Sequence, residues 1–118
     1  MSEYLFVYGT LKQGFCRAHY LQPARYLGNA RTAPGFIMFN CGSYPALIQN
    51  HGTESIVGEL YEVPASLWST LDEVEGVAAD WYSRKTIPLI EPHHDLTVQA
   101  YYYKRSITGL KRVGEEWT

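Results

Sequence analysis

Two short segments of the sequence carry residue types that could act on a small anionic molecule. The first is Tyr8-Gly9-Thr10-Leu11, in which a glycine and a hydroxyl group directly follow an apolar run. Backbone N–H groups that leave a strand together carry partial positive charges and can bind an anion. Gly9 has no side chain to keep a ligand away from the backbone. The segment is therefore a candidate cradle for a carboxylate, and the alternative is an ordinary turn that binds nothing.

The second segment is the acidic stretch at residues 71–76, with the sequence Leu-Asp-Glu-Val-Glu-Gly. Its three carboxylates stand in the last turns of a predicted helix, where the helix dipole disfavours negative charge. Glu75 lies four residues after Leu71 and therefore on the apolar side of that helix. Desolvation and the negative helix end both raise the pKa of a carboxyl group placed there, towards the range useful for general acid/base catalysis.

The other residues near Glu75 leave alternatives open. Glu75 could be partly buried and satisfied by a tyrosine hydroxyl or by Arg84, with no role in catalysis. Asp72 and Glu73 fall off the apolar face, and we interpret them as solvated surface charges. Arg84 is interpreted as the partner of a helix acid more than as a substrate contact, and Trp81 as a packing residue.

Six or seven short strands and one convincing helix must position these segments. The helix is predicted over residues 65–75, with start signals at Pro64 and Ser66 and a stop at Gly76. A shorter helix is predicted around residues 17–21. Strands are predicted over residues 4–8, 26–32, 36–40, 46–49, 56–63, 82–90 and 96–103. This pattern favours an α+β fold with a mostly antiparallel sheet, curled into a small barrel.

Composition excludes several classes of function. The chain has 118 residues, and we expect them to form one domain over residues 1–118. A formal net charge of −2 offers no electrostatic footprint for nucleic acid or an anionic membrane. We see no apolar run long enough to span a bilayer and no signal peptide at the N-terminus, and therefore expect a cytoplasmic protein.

The cysteines and histidines indicate neither a metal site nor a cofactor. Cys16 and Cys41 have no C-x-x-C spacing, although the sequence does not exclude a disulfide. The four histidines have no spacing typical of metal ligands, and we expect neither a metal nor a cofactor. They are His19, His51, His93 and His94.

Taken in order, four segments resemble the gamma-glutamylcyclotransferase-like superfamily, especially its short bacterial YtfP-like branch. Residues 6–11 resemble the family's first strand and Y-G-[ST]-L loop, and residues 42–45 resemble its G-x-Y-P turn. Residues 71–76, with Tyr82 and Arg84, are similar to its L-D-x-x-E-G…Y-x-R signature. The C-terminal end matches through Gly109-Leu110-Lys111, Gly114 and Trp117. Each motif alone is weak, but the ordered set is specific and covers nearly the whole chain.

The resemblance implies a mixed, mostly antiparallel β-barrel with one main helix and short peripheral helices. It also implies roles for particular residues. Glu75 would be the catalytic acid/base, and Tyr82 would line the pocket. On the last long strand Tyr101 would contact the substrate, with Tyr103 on the same face as the alternative. The loop N–H groups would hold the substrate's α-carboxylate, and the loop residues are Tyr8, Gly9, Thr10 and Leu11.

The reaction implied by the resemblance is release of 5-oxoproline from a γ-glutamyl amine or amino acid. The substrate's α-amine would attack the γ-carbonyl carbon, and no metal or cofactor would be needed. Two alternatives use the same residues: a non-catalytic module that binds a small molecule, and a biosynthetic enzyme that removes a γ-glutamyl protecting group. The expected partner is a small γ-glutamyl compound, not nucleic acid or a membrane, and both a monomer and a homodimer remain open.

Overall fold

A computed structural model describes residues 3–118, which form a five-stranded and a three-stranded sheet. Met1 and Ser2, part of the segment expected to lack a signal peptide, lie outside the described residues. The strands are β1 (Glu3–Val7), β2 (Arg25–Arg31), β3 (Phe36–Asn40), β4 (Pro45–Gln49), β5 (Val57–Val63), β6 (Tyr82–Thr86), β7 (Val98–Tyr103) and β8 (Lys111–Arg112). Helix α1 spans Trp68–Val74, and short 3₁₀ turns cover Ala18–Leu21, Ala65–Leu67 and Val77–Ala79.

The larger sheet is mixed but mostly antiparallel, as predicted. Its strand order is β2-β5-β1-β7-β6, and the smaller sheet has the order β4-β3-β8. The central strand β1 is antiparallel to β5 and parallel to β7. Since β1 is buried on both faces, its sequence is a continuous apolar run rather than an alternating one. Leu5 and Val7 pack on the side of α1, and Phe6 packs on the other side.

The expected closed barrel is not confirmed. Within residues 3–118, β2 and β6 are the two edges of the larger sheet. An isolated bridge joins the segments that follow these edges, at Thr32 and Leu89. Next to it the Ile90 N–H donates to the carbonyl of Arg31 at 3.0 Å. Pro88 has no backbone N–H to donate to a neighbouring strand, so β6 ends before it. The two edges of the curled sheet therefore come together only through the segments that follow β2 and β6, and within the described residues no continuous row of hydrogen bonds joins them.

The helical segment matches the expected span but is only partly α-helical. A 3₁₀ turn over Ala65–Leu67 leads into α1, and Leu67 and Leu71 are buried as their spacing predicts. Gly76 has a φ of 68°, the left-handed conformation that commonly follows a helix, so the predicted stop is confirmed. None of the helices in residues 3–118 has the length and apolar character to cross a membrane.

Candidate active site

The two segments singled out in the sequence line one cavity of about 220 Å³. Its walls come from β1 and the loop that follows it, the turn before β4, the end of α1, and β6 and β7. All seven predicted site residues lie in this lining, whereas Tyr103 does not. They are Tyr8, Gly9, Thr10, Leu11, Glu75, Tyr82 and Tyr101.

Glu75 stands at the end of α1 and has a strongly perturbed carboxyl group. Its backbone is still helical, with its N–H donating to the carbonyl of Leu71 at 3.0 Å. Burial raises the pKa of its carboxyl group from 4.5 to about 7, and the guanidinium of Arg17 opposes part of that rise. A carboxyl group with this pKa exists in both protonation states near neutral pH, so it can both accept and donate a proton.

The loop after β1 presents a run of unused backbone donors to the cavity. Within residues 3–118, the N–H groups of Gly9, Thr10 and Leu11 have no hydrogen-bond acceptor. Two carbonyls of the same loop are occupied, because Lys12 N–H donates to that of Gly9 at 3.1 Å and Arg17 N–H donates to that of Thr10 at 2.9 Å. Consecutive free N–H groups beside a cavity form a site suited to an anion such as a carboxylate.

Two tyrosines and a proline hold this loop in place. A Cβ added to Gly9 would lie 2.6 Å from Cγ of Pro45, so the proline ring already occupies the space beside the glycine. The hydroxyl of Tyr82 donates to the carbonyl of Pro45 at 2.6 Å, and that of Tyr8 donates to the carbonyl of Tyr101. We predicted that Gly9 is needed for the approach of a ligand. The structure adds a second reason for a glycine at this position, because the ring of Pro45 at the start of β4 leaves no room for a side chain.

Asp72 is not the solvated surface charge that we predicted. The hydroxyl of Tyr101 donates to its Oδ1 at 2.7 Å, and Arg84 Nε lies 3.1 Å from the same oxygen. The guanidinium of Arg84 also lies 4.3 Å from the centre of the Trp68 ring. The prediction was wrong because this flank of α1 packs against β6 and β7 instead of facing water. Arg84 is the partner of a helix acid, as expected, and Glu73 is exposed, as expected.

Two residues of the lining were missed or misassigned from the sequence. Arg17 lines the cavity and donates from Nη1 to the carbonyl of Val74 at 3.3 Å. Trp81, interpreted as a packing residue, lines the cavity with 38% of its surface exposed. Gly14, a turn signal between the loop and Arg17, was the one hint that the chain doubles back there.

The described residues also bear on metal and disulfide chemistry. Among residues 3–118, no group of three His, Cys, Asp or Glu side chains is placed to hold a metal ion. Cys16 and Cys41 are free thiols, so the disulfide that the sequence left open is not formed.

Known proteins match this chain over nearly its full length. The Gamma-glutamyl cyclotransferase, AIG2-like family matches residues 5–118. A protein of Vibrio cholerae serotype O1, provisionally named a gamma-glutamylcyclotransferase, is 38% identical over 87 residues, which are 74% of this chain and 73% of that protein. The solution structure of protein ytfP from Escherichia coli superposes with a TM-score of 0.72 at 27% identity, covering 97% of this chain and 95% of that one.

A shorter match reaches an enzyme with a specific substrate in its name. The Gamma-L-glutamyl-butirosin B gamma-glutamyl cyclotransferase of Niallia circulans is 32% identical over 71 residues, which are 60% of this chain and 44% of that protein. The match over residues 5–118 and the likeness to ytfP agree with the four motifs found in the sequence. The chain belongs to the Gamma-glutamyl cyclotransferase, AIG2-like family, and within it resembles the YtfP proteins.

Proposed function

We propose that the chain is a γ-glutamylcyclotransferase that releases 5-oxoproline from a γ-glutamyl amine or γ-glutamyl amino acid. One observation carries this proposal: the buried carboxyl group of Glu75, with a pKa of about 7, lines the same cavity as three free N–H groups of the loop. The cavity volume of about 220 Å³ lies below the ~300–1,000 Å³ of sites for drug-sized ligands. It is therefore suited to a group the size of a glutamyl residue.

In this proposal the loop fixes one end of the substrate. The N–H groups of Gly9, Thr10 and Leu11 bind the α-carboxylate, and the γ-glutamyl chain folds back so that its α-amine faces its own γ-carbonyl carbon. Holding both groups together makes the attack intramolecular, which can correspond to an effective concentration on the order of 10⁵ M. The rings of Tyr82 and Tyr101 form part of the wall around the folded substrate and keep water from it.

Glu75 moves the protons. It takes a proton from the α-ammonium group, which frees the lone pair for attack on the γ-carbonyl carbon and formation of the new C–N bond. It then gives a proton to the leaving nitrogen as the old C–N bond breaks. The ring nitrogen of 5-oxoproline ends with two protons fewer than the α-ammonium had, and the leaving amine ends with two more than the amide nitrogen had. One of them is carried by Glu75. The second is exchanged with water, which takes it from the ring nitrogen after the attack and returns one to the departing amine, so the reaction neither consumes nor releases protons overall.

The test is release of 5-oxoproline by the wild type, Glu75→Gln and Glu73→Gln. Suitable donors are γ-glutamyl-alanine, γ-glutamyl-ethylamine and γ-glutamyl-ε-lysine. We expect Glu75→Gln to lower kcat/KM by ~10²–10⁴-fold, the usual contribution of a general acid/base. Glu73 is exposed on the same helix, and Glu73→Gln is the matched control with unchanged activity. Wild-type activity that survives Glu75→Gln overturns the mechanism.

A second candidate is removal of a γ-glutamyl protecting group from a larger biosynthetic intermediate. The match to the Niallia circulans enzyme, whose name specifies γ-L-glutamyl-butirosin B, favours this possibility. It predicts that a γ-glutamyl amide of a large polar amine is turned over faster than the three small donors. If the wild type binds the donors but releases 5-oxoproline from none, the chain is a binding module and the cyclotransferase proposal fails.

A further inference from the structure

The mechanism above assigns no role to Arg17, a cationic residue that lines the cavity. It is half-buried. Its guanidinium makes a single hydrogen bond, the 3.3 Å contact from Nη1 to the carbonyl of Val74. Within residues 3–118 it has no carboxylate within ion-pair distance. A guanidinium group offers five N–H donors in a planar fork, and at Arg17 most of them are unused.

The position of Arg17 relates it to the leaving group of the substrate. The one hydrogen bond of its side chain is with Val74, the residue next to Glu75, and its charge acts on the Glu75 carboxyl group. The leaving nitrogen must come to Glu75 to receive its proton. If the leaving group is an α-amino acid, its carboxylate is attached to the carbon that bears this nitrogen. That carboxylate would therefore lie near Glu75, in the same cavity as Arg17, whose charge acts on the Glu75 carboxyl group.

We infer that Arg17 binds the carboxylate of the leaving amino acid, which makes γ-glutamyl α-amino acids the preferred substrates of this cavity. The inference rests on the proposed function. The γ-glutamyl half of the substrate already has an anion site in the free N–H groups of the loop, so Arg17 serves the other half. A guanidinium group binds a carboxylate through two parallel hydrogen bonds, and a leaving amine that has no carboxylate cannot make this interaction. In γ-glutamyl-ε-lysine the carboxylate lies a whole side chain away from the leaving nitrogen.

The test compares two donors that differ only in this carboxylate. Ethylamine is alanine with its carboxylate replaced by hydrogen, so the pair is γ-glutamyl-alanine and γ-glutamyl-ethylamine. We expect the wild type to prefer γ-glutamyl-alanine by ~10–100-fold in kcat/KM, as befits a charge-assisted pair of hydrogen bonds. Arg17→Gln should bring this ratio close to one, mainly through loss on γ-glutamyl-alanine. Any effect of the variant on Glu75 is shared by both donors and cancels in the ratio.

Two further variants secure the result. Arg17→Lys keeps the charge without the fork and should retain an intermediate ratio. Arg25, on β2 and outside the cavity lining, has a side chain that is 78% exposed, so Arg25→Gln should leave the ratio unchanged. Equal losses on both donors in Arg17→Gln would show that Arg17 does not distinguish the two leaving groups and would overturn the inference. A wild type without preference would do the same.

Binding separates failure of this inference from failure of the proposed function. Titration calorimetry of the two donors on the wild type and on Arg17→Gln needs no turnover. If the wild type releases no 5-oxoproline from either donor, the proposed function fails. Tighter binding of γ-glutamyl-alanine that is lost in Arg17→Gln would then still support the carboxylate contact. Equal binding of both donors would overturn it.

Discussion

Burial of the Glu75 carboxyl group has a consequence for the stability of the protein. In an unfolded chain this group titrates near 4.5, and in the folded protein its pKa is about 7. Between these two values the folded state holds the proton that the unfolded state has released. Stability therefore falls as the pH rises through this window, because the folded state binds more protons than the unfolded state.

We predict that Glu75→Gln removes this pH dependence. The free energy of unfolding of the variant relative to the wild type should be flat below pH ~4.5, rise up to pH ~7, and then level off at a gain on the order of 3 kcal/mol. Urea unfolding of both proteins at pH 5 and pH 8 measures it. The same experiment on Glu73→Gln, at an exposed position, should show no such rise. A constant difference between the wild type and Glu75→Gln at all pH values contradicts the raised pKa.

At the scale of elements, the site depends on how the loop after β1 meets the start of β4. Gly9 and the ring of Pro45 are in contact, and the hydroxyl of Tyr82 holds the carbonyl of that proline. The ring is rigid and its carbonyl is fixed, so neither side can move away easily. The shape of the anion site therefore depends on a packing contact made outside the loop itself.

Gly9→Ala tests this contact. The added Cβ would lie 2.6 Å from Cγ and 2.8 Å from Cδ of Pro45, so we expect a loss of about 1–3 kcal/mol in the free energy of unfolding. Gly114→Ala is the matched control, because a Cβ there meets nothing within 4 Å, and its effect should stay within about 0.5 kcal/mol. Urea unfolding measures both variants.

A double-mutant cycle identifies the partner of the added methyl group. Removing the proline ring makes room for it, so Gly9→Ala should cost less in a Pro45→Ala background than in the wild type. Additive losses would show that another contact limits the space at Gly9.

These elements also show which parts of the fold could be predicted from the sequence. The residues of β3 were predicted to the residue, because the turn around Gly35 marks its start. The position of Glu75 followed from helical spacing, since Leu67 and Leu71 identify the buried face. Local periodicity of this kind extends over a few residues and therefore identifies faces and ends of elements. The open seam of the larger sheet depends on pairing between distant segments and could not be predicted from it.

Two of the errors at the site, those on Asp72 and Arg17, have the same cause. Asp72 was assigned to the surface because helical spacing shows which side of α1 is apolar but not what covers its flanks, and Arg84 and Tyr101 cover this one. Arg17 was missed because its contact with Val74 joins residues 57 positions apart in the chain. Such contacts follow from the packing of whole elements, so the resemblance to a family was needed to bring the loop and Glu75 together.

At the scale of the whole molecule, the C-terminal segment, residues 113–118, connects the two sheets and the loop after β1. The N–H of Val113 donates to Met38 in the smaller sheet at 2.9 Å, and that of Val57 in the larger sheet donates to the carbonyl of Glu115 at 2.8 Å. Lys12, only 5% exposed, donates from Nζ to the carbonyl of Trp117 at 2.6 Å. Removal of this segment would leave the Lys12 ammonium group without this acceptor.

We predict that deletion of residues 115–118 costs about 2–4 kcal/mol in the free energy of unfolding. The deletion removes the acceptor of the Lys12 ammonium group and also the hydrogen bond between Val57 and Glu115. In a Lys12→Met background no charge remains, and the same deletion should cost less. Urea unfolding of the four proteins measures the difference. An equal cost in both backgrounds would show that the Lys12 contact contributes nothing and that only packing is lost.

The central place of β1 in its sheet has a consequence for how the protein is made. This strand is synthesised before both of its neighbours, β5 and β7, and the Tyr8 hydroxyl donates to a carbonyl 93 residues further along the chain. Pairings of such sequence separation form slowly. An apolar strand with two open edges is thus exposed throughout synthesis and prone to aggregation. Because Tyr101 on β7 forms part of its wall, the cavity is complete only after β7 has been synthesised and paired with β1.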